Sequence, residues 1–443
     1  MAKHFVKTVV ITGGTAPSDS NDGLDPIGFN LSTATYDDTG NGEGEHHIFK
    51  TSAFTSYTFT AGDQVYLSGG AGITVGLYEI ASKVDNDAIL LVFSAGSDST
   101  SDVTSSTGPW ATVDKTDDAH AAYDTIFVCD DGTHSIAGAI VWGSGGFLTG
   151  CDARGVPLHP DGARVEIECS AVVAGFAITF GTTTTGNWHI RNVDIHSSGA
   201  TGVHGSSTGW WPTFISCDFR DHATHGLETQ NLSTPATFVG CNFYGNGGSG
   251  IQPSSLTSTG RGGGTYTRCS FHDNASVGMQ AGGAGTCYVN ECYFYRNGIE
   301  GMSVPGTGYK EVTNCVFYNN GLTASAGQRV GIYMQGGWTN TRLYVENCVF
   351  HTHADYGISI APWATKADGL EDRFSELGNN VFYLNSNGDI RNSADDASIP
   401  IHATSVSGTD PLFASLTVGS EDFTPLNGSI LIDAGTAGGP GAR

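Results

Sequence analysis

The sequence predicts an all-β chain wound into a solenoid of stacked coils, and three regularities predict it. Six cysteines recur through the second half: Cys217, Cys241, Cys269, Cys292, Cys315 and Cys348. A Phe stands two residues after each one, at Phe219, Phe243, Phe271, Phe294, Phe317 and Phe350. A Gly followed by a bulky apolar residue begins nine residues after five of the six cysteines, at Gly226-Leu227, Gly250-Ile251, Gly278-Met279, Gly301-Met302 and Gly357-Ile358. In the remaining unit Gly331-Ile332 comes later, after an insertion. Self-similarity at a period of roughly 20–50 residues is the signature of stacked repeats, in which each unit buries its apolar face against the next.

Alternation assigns the faces. Strand side chains switch sides at every residue, so Cys217 and Phe219 point inward while Asp218 and Arg220 point outward. One Cys at a fixed place in every unit makes an interior column, where a free thiol packs as a small apolar group. No Cys-x-x-Cys pair of the zinc type occurs, so core packing is the reading adopted over disulfides or metal. Asn246, Asn274, Asn297 and Asn320, five residues after their cysteines, are expected to take the left-handed conformation of a sharp corner. Each repeat is then at least two short strands joined by tight corners. Abundant Gly (63 residues) with only 14% charged residues suits short strands and turns better than long helices.

Before the repeats, residues 1–60 read as an N-terminal β segment serving attachment, and 61–107 as a small antiparallel β meander. One short helix is expected within 112–122, capping the open end of the solenoid, followed by a strand at 124–128. Weakly patterned strands lead to the clear repeats, which start at Trp188.

The units Phe238–Gly247 and Val312–Gly321 resemble the coils of the right-handed parallel β-helix superfamily, which includes pectate-lyase-like enzymes and phage tailspikes. The resemblance covers roughly residues 108 to 436, and Asp410–Gly435 looks like the closing coils common in such proteins. It implies a right-handed parallel β-helix over 108–443 with a C-terminal cap. It leaves function open, because this fold carries lyases, hydrolases, epimerases, adhesins and virion spikes.

The ruler set by the cysteines turns scattered residues into outward columns. Three residues after each Cys stand Arg220, Tyr244, His272, Tyr295, Tyr318 and His351, with Tyr383 in a last unit that lacks Cys. This is a candidate glycan-binding stripe, since rings offer apolar faces to sugars and polar tips to hydroxyls. The alternative is that the rings stack on each other. Asp221, Glu228 and Asp273 are candidate catalytic carboxylates, because glycoside cleavage needs two carboxyls across one bond. His222 and His225 lie near them, Glu300 occupies the His225 position three coils later, and Glu228, Gln252 and Gln280 form another outward column. His351 and His353 could share one face as metal ligands, but no third ligand is fixed by spacing, so no metal site is assigned. No cofactor is expected, apart from calcium at acidic loops such as 18–26.

Charge narrows the partners. With 19 basic residues against 44 acidic ones and a formal net charge of −25, neither nucleic acid nor an anionic membrane is an expected partner. The apolar run Val9–Ile11 is too short for a secretory leader, and no stretch reaches membrane-spanning length. The expectation is a virion component released by host lysis: a bacteriophage tailspike, fibre or decoration protein. Its expected partners are copies of itself (a homotrimer), other virion proteins and surface polysaccharide. The catalytic signatures of pectate lyases and polygalacturonases are not found. A polysaccharide lyase or glycoside hydrolase working on the outer face is the rival, and a bacterial surface or matrix protein is the third reading.

Overall fold

The computed structural model describes residues 3–6, 34–40, 45–49, 55, 58–59, 63–69, 76–84, 88–91, 99–105, 125–130, 132–142, 145–152, 157–159, 163–180, 188–205, 212–229, 236–253, 263–282, 285–305, 308–324, 328–335, 341–360, 377–392, 397–398 and 404–431. Among these, every regular element is a strand, and the architecture is a right-handed parallel β-helix. The helix expected within 112–122 lies outside the described residues, as does the acidic loop at 18–26. The chain divides into two compact units, one of residues 1–171 with 188–194, the other of 172–187 with 195–443.

In the first unit, six antiparallel strands close a barrel in the order Ala34–Gly40, Glu45–Phe49, Ala88–Leu91, Gly76–Lys83, Gln64–Gly69, Ser99–Ser105. Ile48, Val65, Leu67, Ile80, Ile89 and Leu91 are buried there. The barrel takes strands from both sides of the boundary expected at residues 60/61, so the segment and the meander read separately from the sequence are parts of one element. Closure removes exposed edges, which a free four-stranded meander would keep. Lys3–Val6 pairs instead in parallel with Thr125–Asp130, which in turn pairs with Gly146–Asp152.

The second unit is built from coils of three strands, one more than the minimum read from the sequence. Its first sheet runs from Thr213–Ile215 through Ala236–Val239, Gly264–Thr267, Cys287–Asn290 and Gly308–Thr313 to Thr341–Glu346. The second sheet stacks Asp218–Arg220, Asn242–Tyr244, Ser270–His272, Tyr293–Tyr295, Val316–Tyr318, Val349–His351 and Val381–Tyr383. The third stacks Phe176–Phe180, Thr201–Gly205, Leu227–Thr229, Ile251–Pro253, Met279–Gln280, Met302–Val304, Ile332–Met334, Tyr356–Ile360 and Gly388–Asn392.

The interior is ordered in columns. Phe219, Phe243, Phe271, Phe294, Phe317, Phe350 and Phe382 stack ring on ring, with centroids 4.7–5.0 Å apart. All ten cysteines are free and buried. The sulfurs do more than fill space: the backbone N–H groups of Cys269, Cys292 and Cys315 each donate to the Sγ one coil on, at 3.4 Å. Where the next coil lacks a Cys, Asn380 takes over, its Oδ1 accepting from the Cys348 N–H at 2.9 Å. A buried N–H left unpaired would cost about 1–3 kcal/mol, so even a weak sulfur acceptor matters here.

The asparagine column differs from expectation. The left-handed φ falls on the residue before it, at Asp221, Gly245, Asp273, Arg296 and Asn319, and also on the residue before each Cys, such as Ser216, Arg268 and Asn314. The asparagines themselves turn inward. Asn246 Nδ2 donates to Asn274 Oδ1 (2.8 Å), Asn274 to Asn297 (2.9 Å) and Asn297 to Asn320 (2.9 Å). Each Nδ2 also donates to the carbonyl of a Phe in the preceding coil. His222 and His353 occupy the same column at either end: His222 accepts at Nδ1 from Ser198 N–H, and His353 accepts at Nδ1 from Asn320 N–H. Burial lowers both imidazoles, to about 4 for His222 and about 3 for His353. Beside this ladder only Gly fits: a Cβ on Gly278 would sit 2.5 Å from Gly301 O and 2.9 Å from Asn297 Nδ2. Lys310 lies inside the coil, where its Nζ donates to Gly285 O at 2.5 Å and its pKa is lowered by burial.

Candidate functional site

The outward column of the second sheet exists in register: Arg220, Tyr244, His272, Tyr295, Tyr318, His351 and Tyr383 are successive strand partners. Its chemistry differs from the expected sugar platform. Tyr244, His272 and Tyr295 stack face to face at 4.9 and 4.5 Å with planes within 7°. Their faces are therefore spent on each other, and only edges and polar tips look outward. This is the self-stacking alternative, and it follows from coils that repeat at one strand spacing, about 4.8 Å.

The far half of the column is covered. Strands Phe413–Ser415 and Asp422–Pro425 form a hairpin whose Phe423 lies against Tyr293, Tyr295 and Tyr318, while Phe413 approaches His351. Tyr318 and His351 are left 8% and 4% exposed. Arg296 joins Asp273 to Glu421 of the hairpin. The stripe expected to be open from Arg220 to Tyr383 is thus closed at Tyr318 and His351. Sequence alternation reports which way a side chain points, not what later chain folds over it.

The three candidate carboxylates do not converge. Glu228 lies on the third sheet, whereas Asp221 and Asp273 lie at the corner after the second. Asp221 is exposed and paired with Arg220 at 3.1 Å. Burial pushes Asp273 up, but hydrogen bonds from His272 and Arg296 outweigh it and bring the carboxyl down to about 2. A carboxylate so firmly ionised is unsuited to donating a proton. His225 accepts the Ser249 N–H at 2.9 Å and burial lowers it, which gives it a structural task. His351 and His353 also part company: the left-handed Thr352 between them sends one outward and the other into the ladder, so no shared metal face forms from this pair.

The outer face of the third sheet brings together a different set. His204, Glu228, Gln252, Gln280, Ser303, Tyr333, Ser359 and Arg391 form one column, one residue per coil, of which His204, Ser303 and Ser359 are buried and the other five half-buried. It runs between inward apolar residues such as Leu227, Ile251, Met279, Met302, Ile332 and Ile358. Gln252 Nε2 donates to Gln280 Oε1 at 2.9 Å, and Gln335 Nε2 donates to Ser303 Oγ at 3.1 Å. Burial raises Glu228. Glu300, at the corner leading into Met302–Val304, is 3% exposed, and burial raises its carboxyl to about 8. It acts electrostatically on Tyr333, whose pKa is raised by burial first and by Glu300 second, against a lowering by Arg391. Sequence reading placed Glu228, Gln252 and Gln280 in this column but missed Ser303, Tyr333, Ser359 and Arg391. Counting on from each Gly-apolar pair, not only from each Cys, would have found Ser303, Tyr333 and Ser359; Arg391 follows Ile390, which no Gly directly precedes.

Residues 201–374 match the family described as a right handed beta helix region. No curated protein matches this chain. Among solved structures it is similar to pectate lyase Pel9A, at 13% identity over 73% of this chain and 85% of that one, with a TM-score of 0.39. It is similar also to an alginate lyase from Paenibacillus sp. str. FPU-7, at 11% identity over 63% and 92%, TM-score 0.39. A third is the Dettilon tailspike protein, at 10% identity over 61% and 62%, TM-score 0.29. At these identities and scores none of them bears on the chemistry of this chain.

Proposed function

We propose that this chain is a glycan-contacting structural β-helix protein, a tailspike, fibre or decoration component of a bacteriophage virion, that holds polysaccharide along the third sheet. The observation that carries the reading is the run of half-buried Glu228, Gln252 and Gln280 in that column, which offers one polar side chain per coil over three coils at a repeat of about 4.8 Å. That repeat is close to the length of one sugar unit, so successive hydroxyls can meet successive coils. Amide and carboxyl tips supply both donors and acceptors. Binding is favoured over hydrolysis because Glu228 and Glu300 lie three coils apart, roughly 14 Å by strand spacing, beyond the separation that spans one glycosidic bond. The proposed setting is a homotrimer on the virion, outside the cell after lysis.

The test is binding of labelled bacterial polysaccharides, with sedimentation to read the oligomer. Gln252→Ala with Gln280→Ala should weaken binding about tenfold, whereas Tyr244→Ala should change it little. Release of reducing ends or unsaturated uronates by the wild-type chain would overturn the non-catalytic reading. A lyase or hydrolase is the second reading, favoured by one observation: Glu300 stays protonated near neutrality beside Tyr333, as a proton donor must. Any turnover on that reading is lost in Glu300→Gln.

A further inference from the structure

Cys129 and Cys151 stand apart from the cysteine ladder. Each is the second-last residue of its strand, Thr125–Asp130 or Gly146–Asp152, and the two are direct register partners in a parallel pairing. Side chains of such partners leave the sheet on the same face. Their Cα atoms are held about 4.8 Å apart by strand spacing, inside the roughly 4.4–6.8 Å that a disulfide spans. The sulfurs have turned to each other, with Cys151 Sγ donating to Cys129 Sγ at 3.0 Å. A longer contact runs from Cys151 Sγ to Val128 O at 3.4 Å. With Phe127 the two thiols make a small buried cluster of their own. The ladder sulfurs are engaged otherwise. Cys217, Cys241, Cys269, Cys292, Cys315 and Cys348 each donate from Sγ to the carbonyl two residues back in the chain.

We propose that Cys129 and Cys151 are a disulfide site: they join covalently, and staple two adjacent strands, when the chain folds in the presence of a low-molecular-weight disulfide such as oxidised glutathione. The thiolate of one cysteine attacks a sulfur of the small disulfide, breaks its S–S bond and releases one small thiol. The thiolate of the other cysteine attacks the protein sulfur of this mixed disulfide, forms the Cys129–Cys151 bond and releases the second small thiol. Two protein thiols lose two electrons, one small disulfide gains them, and the two thiol protons end on the released thiols. Both sulfurs are buried in the finished fold, so the first step belongs to the folding chain, where the thiols are in reach. The strand register then selects the partner for the second step. Once closed, the bond is kept from reductants by the same burial. The staple also narrows the unfolded ensemble by closing the loop between the two strands. This inference rests on thiol geometry alone and does not depend on the glycan-contacting reading.

The test refolds the full chain from denaturant in a buffer of reduced and oxidised glutathione. Remaining thiols are blocked with iodoacetamide under denaturing conditions, and peptides are mapped by mass. One cross-linked peptide joining Cys129 to Cys151 is expected, with the other eight of the ten cysteines alkylated. The oxidised chain should melt about 5 °C above the chain refolded with a thiol reductant. In Cys151→Ala both the cross-link and that difference should vanish. Cys169→Ala should leave both in place, because that sulfur turns to Ile167 O instead. Should an Ala variant fail to fold, the peptide map of the wild-type chain decides alone. Ten alkylated cysteines after oxidative refolding overturn the proposal. So does a map in which Cys129 and Cys151 are joined no more often than neighbours in the ladder.

Discussion

Phe423 stacks on Tyr293 with ring centroids 5.4 Å apart and planes at 17°. The contact pins the C-terminal hairpin to the second sheet, where Tyr318, Val349, Val381 and Phe413 form a small apolar cluster of their own. Removing the pinning ring should free the hairpin without unwinding the coils. Phe423→Ala is expected to cost less than the roughly 3–5 kcal/mol of a fully buried aromatic, because Phe423 is only partly buried. Limited proteolysis should then cut within 408–431 while the β-helix survives, and the buried Tyr318 should become reactive to nitration.

The internal ladder makes a sharper prediction. Asn297→Ala removes the bonds to Phe271 O and Asn320 Oδ1, and also the acceptor used by Asn274. Several buried groups lose partners together, at about 1–3 kcal/mol each. Asn297→His should cost clearly less, because His222 and His353 already fill this column. Urea titration of the two variants compares them. Equal destabilisation would show that the hydrogen bonds are not what holds the coil corners.

Lys310 is expected to be a liability. Its side chain is fully buried, its Nζ donates to the Gly285 carbonyl, and burial lowers its pKa. In the unfolded chain the group titrates near its ordinary value, so below that value folding must release a proton or bury a charge. Wild-type stability therefore rises with pH until the unfolded lysine loses its proton. Lys310→Met, similar in volume and apolar, should be neutral or stabilising by about 1–4 kcal/mol. The gain should be larger at pH 6 than at pH 10, as read from melting temperatures.

Glu300 runs the other way. Its folded pKa of about 8 stands above the ordinary 4.5, so between those values the unfolded chain is ionised and the folded one is not. Stability falls as pH rises through that window, by at most about 1.4 kcal/mol per pH unit, and levels off above it. Glu300→Gln should flatten the melting temperature between pH 5 and 8, with the variant gaining most at the alkaline end.

Much of this was legible in the sequence, for reasons particular residues show. Cys, Phe and Gly repeat because each meets its own kind in the next coil, so parallel stacking writes the core directly into the spacing. The outward registers of Arg220 to Tyr383 and of Glu228, Gln252 and Gln280 followed from strand alternation alone. Other features depend on contacts that spacing does not encode. Asn274 reads as a corner residue because Asn favours left-handed turns, yet the neighbouring Asp273 takes that conformation and frees Asn274 for the ladder. Tyr318 and His351 read as exposed because nothing nearby in the chain covers them, and the cover arrives from Phe413 and Phe423, many residues later. Asp221 and Asp273 share one corner, while Glu228 sits on another side of a three-sided coil, which a two-strand reading of the repeat could not resolve.

The cysteine column carries an evolutionary consequence. From Cys269 to Cys292 and from Cys292 to Cys315 the hydrogen-bonded partners are separated by 23 residues each time. Excising residues 292–314 would bring Cys315 against Cys269 with thiol, ring, amide and glycine all still in phase. The molecule can thus lengthen or shorten only in whole-turn steps. A gain or loss of any other size must be absorbed in the loops between strands, as the insertion ahead of Gly331 is. Reach along the axis is a quantised trait for such a chain, adjustable by duplication without redesigning a single contact.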